Sequence, residues 1–562
     1  MAYIGPGLVS QCDSHSLGAW WMHAFNKEFS ALKEMKAWTL VPAATLTPEQ
    51  RHAIMKGKWV GRIKWDQSGA IEKFKMRYVA KGFTQKYGES YFETYAPTVP
   101  MIELKMILAI AVRFNMELHG IDISNAYLQS DVKELLFMEQ PRGYVEQGEN
   151  GQKMVCKMRR NLYGTKQAGN YHHGKLCKTM INLGFTQISQ CTFIFVNGPG
   201  DRIIIGWYVD DGTIATDSVA LMTNFKKNFS DTEQGGYKIQ DLGELTWLLG
   251  IHISRNRITK TISMSQKQYI LDACTDFNLA NAQPADSPMV PGHELPPGPT
   301  TIEEKEEMAN VPFNSLIGTL IYALHTVPAI GFAVSKLAQH MANPGREHWA
   351  AAKRILRYLK GASDTKLTFH GGLDIQLWAA ADADWAGDTA SRRSQSGILM
   401  LLCGAAILGV SRRQPTVALS SAESEAGALS EVVKAVEKAR IFLNQIPGCE
   451  QTGPTITLQD NQATVALANS GQGERNRRHI DIRIKKVIEL QLALQVALVW
   501  VPSAKQLADV LTKPLTAAKF NDGQARINGE IIIKVTEFVD AATLHLRAKV
   551  SKARTEFLTH GE

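Results

Sequence analysis

Two adjacent aspartates, Asp210 and Asp211, stand inside an otherwise apolar run, IIGWYVDDGTIA (204–215). Unpaired charges there are costly, and two carboxylates side by side repel each other. A hairpin turn with Asp-Gly at its tip accounts for the pair structurally. The chemical alternative is that the aspartates sit at a hairpin tip as hard oxygen ligands for Mg²⁺, whose charge offsets the repulsion. Metal-assisted phosphoryl transfer then needs a further carboxylate. Asp122 in HGIDISNAYL (119–128) is the candidate, although alone it reads more readily as a strand-end or capping aspartate.

Four more acidic residues recur downstream in separate elements: Asp382 (AADADW), Glu425 (AESEA), Asp460 (LQDN) and Asp509 (QLADVL). Strand end, helix, strand end and helix is an order that brings four carboxylates together, whereas each alone is a surface acid. Asp384 and Glu423 are local competitors. Asp382 is preferred because it directly follows an apolar strand.

These residues must be carried by elements of ordinary globular character. The chain has 562 residues, 44% hydrophobic and 21% charged, which fits several compact domains rather than a fibre or a disordered tail. The longest apolar run, Gly397 to Val410, is shorter than the roughly 20 residues that span a bilayer. No basic-then-apolar leader opens the sequence, so no membrane is expected and the chain reads as intracellular. None of the seven cysteines forms a CxxC pair, which argues against a zinc ribbon. A net charge of +8 is compatible with a polyanionic partner.

Six prolines between Pro284 and Pro299, followed by TIEEKEE (301–307), predict an exposed connection. The expected layout is an N-terminal extension (1–20), a first catalytic unit (21–283), a proline-rich acidic linker (284–310), a helical connection (311–365), a sheet-and-helix domain (366–520) and a tail (521–562). Strand runs followed by helices predict a multidomain α/β and α+β chain.

The first constellation, an Asp122 strand end followed by Tyr-Val-Asp-Asp, resembles the palm of a reverse transcriptase. The wider text is similar to the polymerase of copia-type LTR retrotransposons. It carries KWVGRIKWDQSGAIEKFKMRYVAKGFTQKYGESYFETYAPT (58–98), DISNAYL (122–128), NLYGTKQA (161–168), WYVDD (207–211) and DLGELTWLLGIHI (241–253). Beyond the linker come SLIGTLIYA (315–323), HWAAAKRILRYLKG (348–361), DADWAGD (382–388), SSAESEA (420–426), LQDNQA (458–463), RHIDIR (478–483) and ADVLTKPL (508–515). The resemblance implies fingers, palm and thumb followed by a ribonuclease H-like mixed sheet with flanking helices.

It further implies that Asp122, Asp210 and Asp211 hold two Mg²⁺ ions (Mn²⁺ as substitute) about 3.5–4 Å apart, and that Asp382, Glu425, Asp460 and Asp509 hold two more. By the same resemblance Glu425 is preferred to Glu423, Tyr127 stands beside the incoming sugar, and Gln167 lies near the nucleotide. Lys75, Arg77 and Lys81, on alternate positions of KFKMRYVAK, are candidates to grip the triphosphate, or else form a solvated basic edge. Leu249, Gly250 and Ile251 resemble the primer grip, and His479 is assigned to structure or substrate contact. The implied partners are an RNA template, a DNA primer, the RNA–DNA hybrid and deoxynucleoside triphosphates; self-association is left open. The implied activities are RNA-directed DNA polymerase and ribonuclease H.

The chain departs from the family at Thr326-Val327-Pro328-Ala329-Ile330, at Gly169-Asn170-Tyr171-His172, and at Gly409, where a tryptophan is expected. It lacks a zinc knuckle, an aspartic-protease motif and an integrase core, so it is expected to be the C-terminal part of a polyprotein or a truncated genomic copy. The alternative function is a catalytically decayed or repurposed nucleic-acid-binding relic.

Overall fold

A computed structural model describes residues 9, 12, 17–65, 71–198, 200–388, 390–470, 478–534 and 537–538, without the side chains of residues 65, 470 and 478–482. The N-terminal helix Gly18–Glu34 buries Trp21, Phe25 and Leu32 along one face. That stripe packs on an antiparallel ribbon, Gly57–Trp65 with Ile71–Ala80. The ring of Phe25 meets Trp59 edge-on at 4.9 Å. Alternation along a strand sends successive side chains to opposite faces. Trp59, Met76 and Tyr78 therefore point into this core, while Arg62, Lys64, Lys75 and Arg77 share the other face.

A six-stranded antiparallel sheet runs in the order Ile239–Glu244, Glu117–Ile123, Asp211–Thr216, Arg202–Tyr208, Thr192–Val196, Thr186–Gln187. Helix Met101–Arg113 packs against it, with Leu104 through Val112 all buried. A helix apolar all round must be covered on every side. Here the second cover comes from the C-terminal half: strands Leu367–His370 and Ala405–Arg413 also touch this helix.

That second half is a five-stranded mixed sheet ordered Ala405–Arg413, Gln395–Leu402, Trp378–Asp384, Thr455–Gln459, Val496–Trp500. The first three strands are antiparallel and the last two join in parallel. Helix Ser421–Asn444 lies across the sheet and helix Arg478–Leu492 lies against that helix. The chain is thus multidomain, with mixed helix and sheet. Among the described residues, no helix is long and apolar enough to cross a membrane.

Two boundaries differ from the sequence reading, and the proline-rich stretch is more firmly held than expected. Leu367–His370 pairs with Thr261–Ser265, completing a four-stranded sheet that begins at Trp247, so the cut at 366 divides one sheet. The proline-rich stretch is largely exposed, as expected, but it is anchored rather than free: Ser287 and Met289 are buried, Arg354 binds Asp286 at 2.8 Å, and His348 Nε2 lies 2.9 Å from the Pro296 carbonyl. Donors on helix Arg346–Gly361 satisfy carbonyls that a proline-rich backbone cannot pair in regular structure. The expected tail opens within a helix, Ala517–Ile527, that buries Phe520 and Ile527. After it, the Asn528 carbonyl accepts the Thr368 amide at 2.8 Å. One apolar core consequently runs from Val99 to Ile527.

The family departures at Thr326–Ile330 and Gly409 meet in this core. Val327, Ala329 and Ile330 are buried, and a Cβ on Gly409 would lie 2.6 Å from Pro328 Cβ. The missing large side chain and the apolar replacement segment fit each other.

Candidate active sites

Strands Arg202–Tyr208 and Asp211–Thr216 form a two-residue hairpin whose tip is Val209-Asp210, because Tyr208 pairs with Asp211. Val209 adopts φ 59, a strained choice for a β-branched residue. Asp211 is therefore the first residue of the second strand rather than part of the turn. Across the sheet it stands directly opposite Asp122. Directly opposed residues share a face, so these two carboxylates are neighbours. The Ile123 amide donates to the Asp210 carbonyl at 2.8 Å, holding the tip beside them.

Desolvation beneath the hairpin, then the charges of Asp210 and Asp122, push Asp211 up to about 6, although its side chain stays open to solvent on one side. Burial and then Asp210 raise Asp122. Asp122, Asp210 and Asp211 are hard oxygen donors of the type a divalent cation takes, coupled electrostatically but, among the described residues, not gathered within 4.8 Å as the second group is.

Near enough to act on Asp122 and Asp211 electrostatically is a cavity of about 560 Å³ lined by Arg62, Lys64, Lys75, Arg77 and Tyr163 among others. Burial, followed by Arg77 and Lys64, lowers Lys75, while Asp122 pulls it back up. The Arg77 guanidinium lies 4.2 Å over the Tyr163 ring, whose other neighbour is Tyr127 at 4.8 Å. Lys81 is not among the lining groups; it precedes the short turn Gly82–Thr84, past the end of the strand. Arg62 and Lys64 were missed in the sequence, although the same alternation in KWVGRIKW places them on the face of Lys75.

Tyr127 lies in a turn, Ala126–Gln129, entered through Asn125 at φ 52, which brings its half-buried ring back toward Asp210. Gln167 is fully buried at the start of helix Ala168–Asn182, and its Oε1 accepts from Gln85 Nε2 at 3.0 Å. Gln85, also missed, braces this corner by accepting the Lys166 amide at 2.8 Å. Leu249 and Gly250 turn the hairpin between Leu248 and Ile251, with φ 50 and 80. The Tyr322 hydroxyl donates to the Leu249 carbonyl.

At the second constellation, carboxylate oxygens of Asp382, Asp460 and Asp509 lie within 4.8 Å of one another. Asp382 is 3% exposed and Glu425 5% exposed. Burial and neighbouring carboxylates raise both. Glu425 joins the group through Asp382 and Asp460 electrostatically, and its Oε2 accepts from Gln459 Nε2 at 3.3 Å. Thr512 donates to Asp382, Ser503 donates to Asp460 at 2.7 Å, and the Lys513 ammonium lies 2.9 Å from Asp509. Like the first set, these acids are hard oxygen donors lacking enough positive charge, which suits divalent cations.

The competitors occupy other roles. Asp384 is outside the cluster, and Glu423 accepts the Leu419 amide at 2.7 Å as part of the helix cap. The side chain of His479 lies outside the described residues.

Residues 35–291 match the family described as reverse transcriptase (RNA-dependent DNA polymerase). Over 520 residues the chain is 33% identical to the retrovirus-related Pol polyprotein from transposon TNT 1-94 of Nicotiana tabacum, covering 92% of this chain and 38% of that protein. It is 30% identical over 510 residues to the Pol polyprotein from transposon RE1 of Arabidopsis thaliana, covering 90% of this chain and 34% of that protein. The chain thus spans little more than a third of these curated relatives. A solved structure of the foamy viral protease-reverse transcriptase dRH in complex with ds DNA is 12% identical, covers 85% of this chain and 69% of its own, and gives a TM-score of 0.44. Residues 35–291 are therefore a reverse transcriptase domain, set in a chain that resembles copia-type Pol polyproteins along nearly its whole length.

Proposed function

We propose that this chain copies an RNA template into DNA at the first site and hydrolyses the RNA of the resulting hybrid at the second. The observation that carries this reading is the register of Asp211 opposite Asp122, with Asp210 at the adjoining tip and basic side chains of a nearby cavity acting on Asp122 and Asp211 electrostatically. Lys64, Lys75 and Arg77 bind and orient the triphosphate of a deoxynucleotide. Tyr127 walls the sugar, and Gln167 closes the corner behind it. Asp122, Asp210 and Asp211 would hold Mg²⁺ or Mn²⁺, as would Asp382, Glu425, Asp460 and Asp509. When bound, such cations supply activation of the attacking oxygen and neutralisation of charge on the leaving group.

A hybrid is recognised through backbone, shape and 2′-hydroxyls, so little sequence preference is expected and salt weakens binding. The test is primer extension on an RNA template by the purified chain with Mg²⁺. Asp122→Asn and Asp210→Asn should abolish DNA synthesis while hybrid binding survives, because binding uses the basic groups. An Asp122→Asn protein that extends the primer at the parental rate would refute the reading.

A further inference from the structure

We infer that His172 is a positioning residue that fixes the geometry of Asp210 and links it to the Tyr127 ring. The inference deepens the polymerase reading of the first site and rests on it. His172 is 2% exposed and lies one turn into helix Ala168–Asn182, the helix that begins at Gln167. Its Nε2 is 3.0 Å from the Val209 carbonyl oxygen. A carbonyl brings no proton, so Nε2 must be the donor and Nδ1 the bare nitrogen. Nδ1 is buried and has no hydrogen-bond partner among the described residues. The ring's hydrogen bonding is thus directed to one backbone atom.

That atom matters because peptide units are rigid planes. Holding the Val209 carbonyl also holds the Asp210 amide and the Asp210 Cα. The next plane is pinned from the other side, where the Ile123 amide donates to the Asp210 carbonyl at 2.8 Å. Asp210 therefore hangs between two anchored planes, one tied to the helix and one to the Asp122 strand. The helix anchor also restrains Val209 at its strained φ of 59. The same imidazole packs edge-on against Tyr127 at 5.9 Å and Tyr237 at 5.8 Å. A shift of this ring displaces both the carboxylate and the wall beside the sugar.

The experiment uses the full chain with His172→Phe, which keeps a ring but removes the donor, and His172→Gln, which restores one. For His172→Phe we expect DNA synthesis to fall by about tenfold or more in kcat, with KM for deoxynucleotide little changed. Cleavage of RNA in a hybrid by the same chain should hold, reporting an intact fold. Amide exchange followed by mass spectrometry should accelerate in the peptide containing residues 208–212, and His172→Gln should recover part of both effects. Parental synthesis by His172→Phe, unchanged exchange in that peptide, or loss of both activities without rescue by glutamine would each overturn the inference. If the parent makes no DNA, the polymerase reading fails, and the exchange measurement alone decides whether His172 positions the hairpin.

Discussion

Lys105 is fully enclosed between the two halves of the chain, and replacing it should stabilise the protein. It lies on helix Met101–Arg113, 4% exposed, and its recorded hydrogen bond is a long one of 3.4 Å to the Ala406 carbonyl. The nearby titratable group is His325, itself lowered by burial and then by Lys105. Burial depresses the Lys105 ammonium from 10.5 to about 7. In the unfolded chain the amine keeps its ordinary affinity for protons. Between pH 7 and 10.5 the unfolded state therefore binds more protons, and the stability of the parent rises with pH. At pH 7 the penalty works out at roughly 4 kcal/mol, shrinking to about 1 kcal/mol at pH 10. Lys105→Met removes the charge while keeping nearly the length. It should raise the free energy of urea unfolding by about 2–4 kcal/mol at pH 7, since relaxation of the site returns part of the penalty. Comparing the two proteins at each pH cancels the titrations that do not involve Lys105, and His325, which does, stays largely neutral across this range. A methionine variant no more stable than the parent at pH 7, or a difference that does not shrink toward pH 10, would refute the reasoning.

Asp460→Asn should eliminate RNA hydrolysis and leave primer extension intact, because its contacts are to Ser503 and the second carboxylate group; equal loss of polymerisation would count against separate sites. Tyr127→Ala should admit ribonucleotides by about tenfold or more relative to deoxynucleotides, measured by competitive incorporation, as exclusion by a packed wall changes tenfold per roughly 1.4 kcal/mol. A folded variant with unchanged sugar discrimination removes Tyr127 from that role. Gly250→Ala should cost about 1–2 kcal/mol in unfolding, because an alanine at φ 80 is strained and its Cβ would meet the Tyr322 hydroxyl at 3.2 Å. Unchanged stability would show that the turn relaxes freely.

What could be read in the sequence was local and chemical. Asp210 and Asp211 announced themselves because charges in an apolar strand need a reason, and the alternation around Lys75 gave its face. The hairpin tip was less legible: an Asp-Gly pair favours the turn locally, yet the strand register moves the tip back to Val209-Asp210. Lys81 has the right parity for the basic face but falls beyond the strand's last residue, Ala80. The proline-rich stretch was legible as exposed but not as anchored, since composition describes a segment's own preferences and not the Arg354 and His348 side chains that hold it. His172, Gln85 and Thr512 act only through partners distant in sequence, at Val209, Gln167 and Asp382, and no spacing rule points to them. A fragment of residues 1–285, which the linker reading favours as a separable polymerase, would lack the strands Leu367–His370 and Ala405–Arg413 that cover Met101–Arg113.

The late arrival of Leu367–His370 sets a schedule for a ribosome making this chain. Until that strand emerges, Thr261–Ser265 is an open sheet edge carrying Ile262 and Met264, both fully buried in the finished protein. About a hundred residues separate the two strands, so at roughly 5–20 residues per second the edge stays unpaired on the order of 5–20 s. An unpaired apolar edge is a template for any other extended chain. On a crowded polysome, neighbouring nascent copies expose the same edge at the same time. Slow translation between residues 265 and 370 would lengthen this window, and chaperones that hold open strands would find their client there.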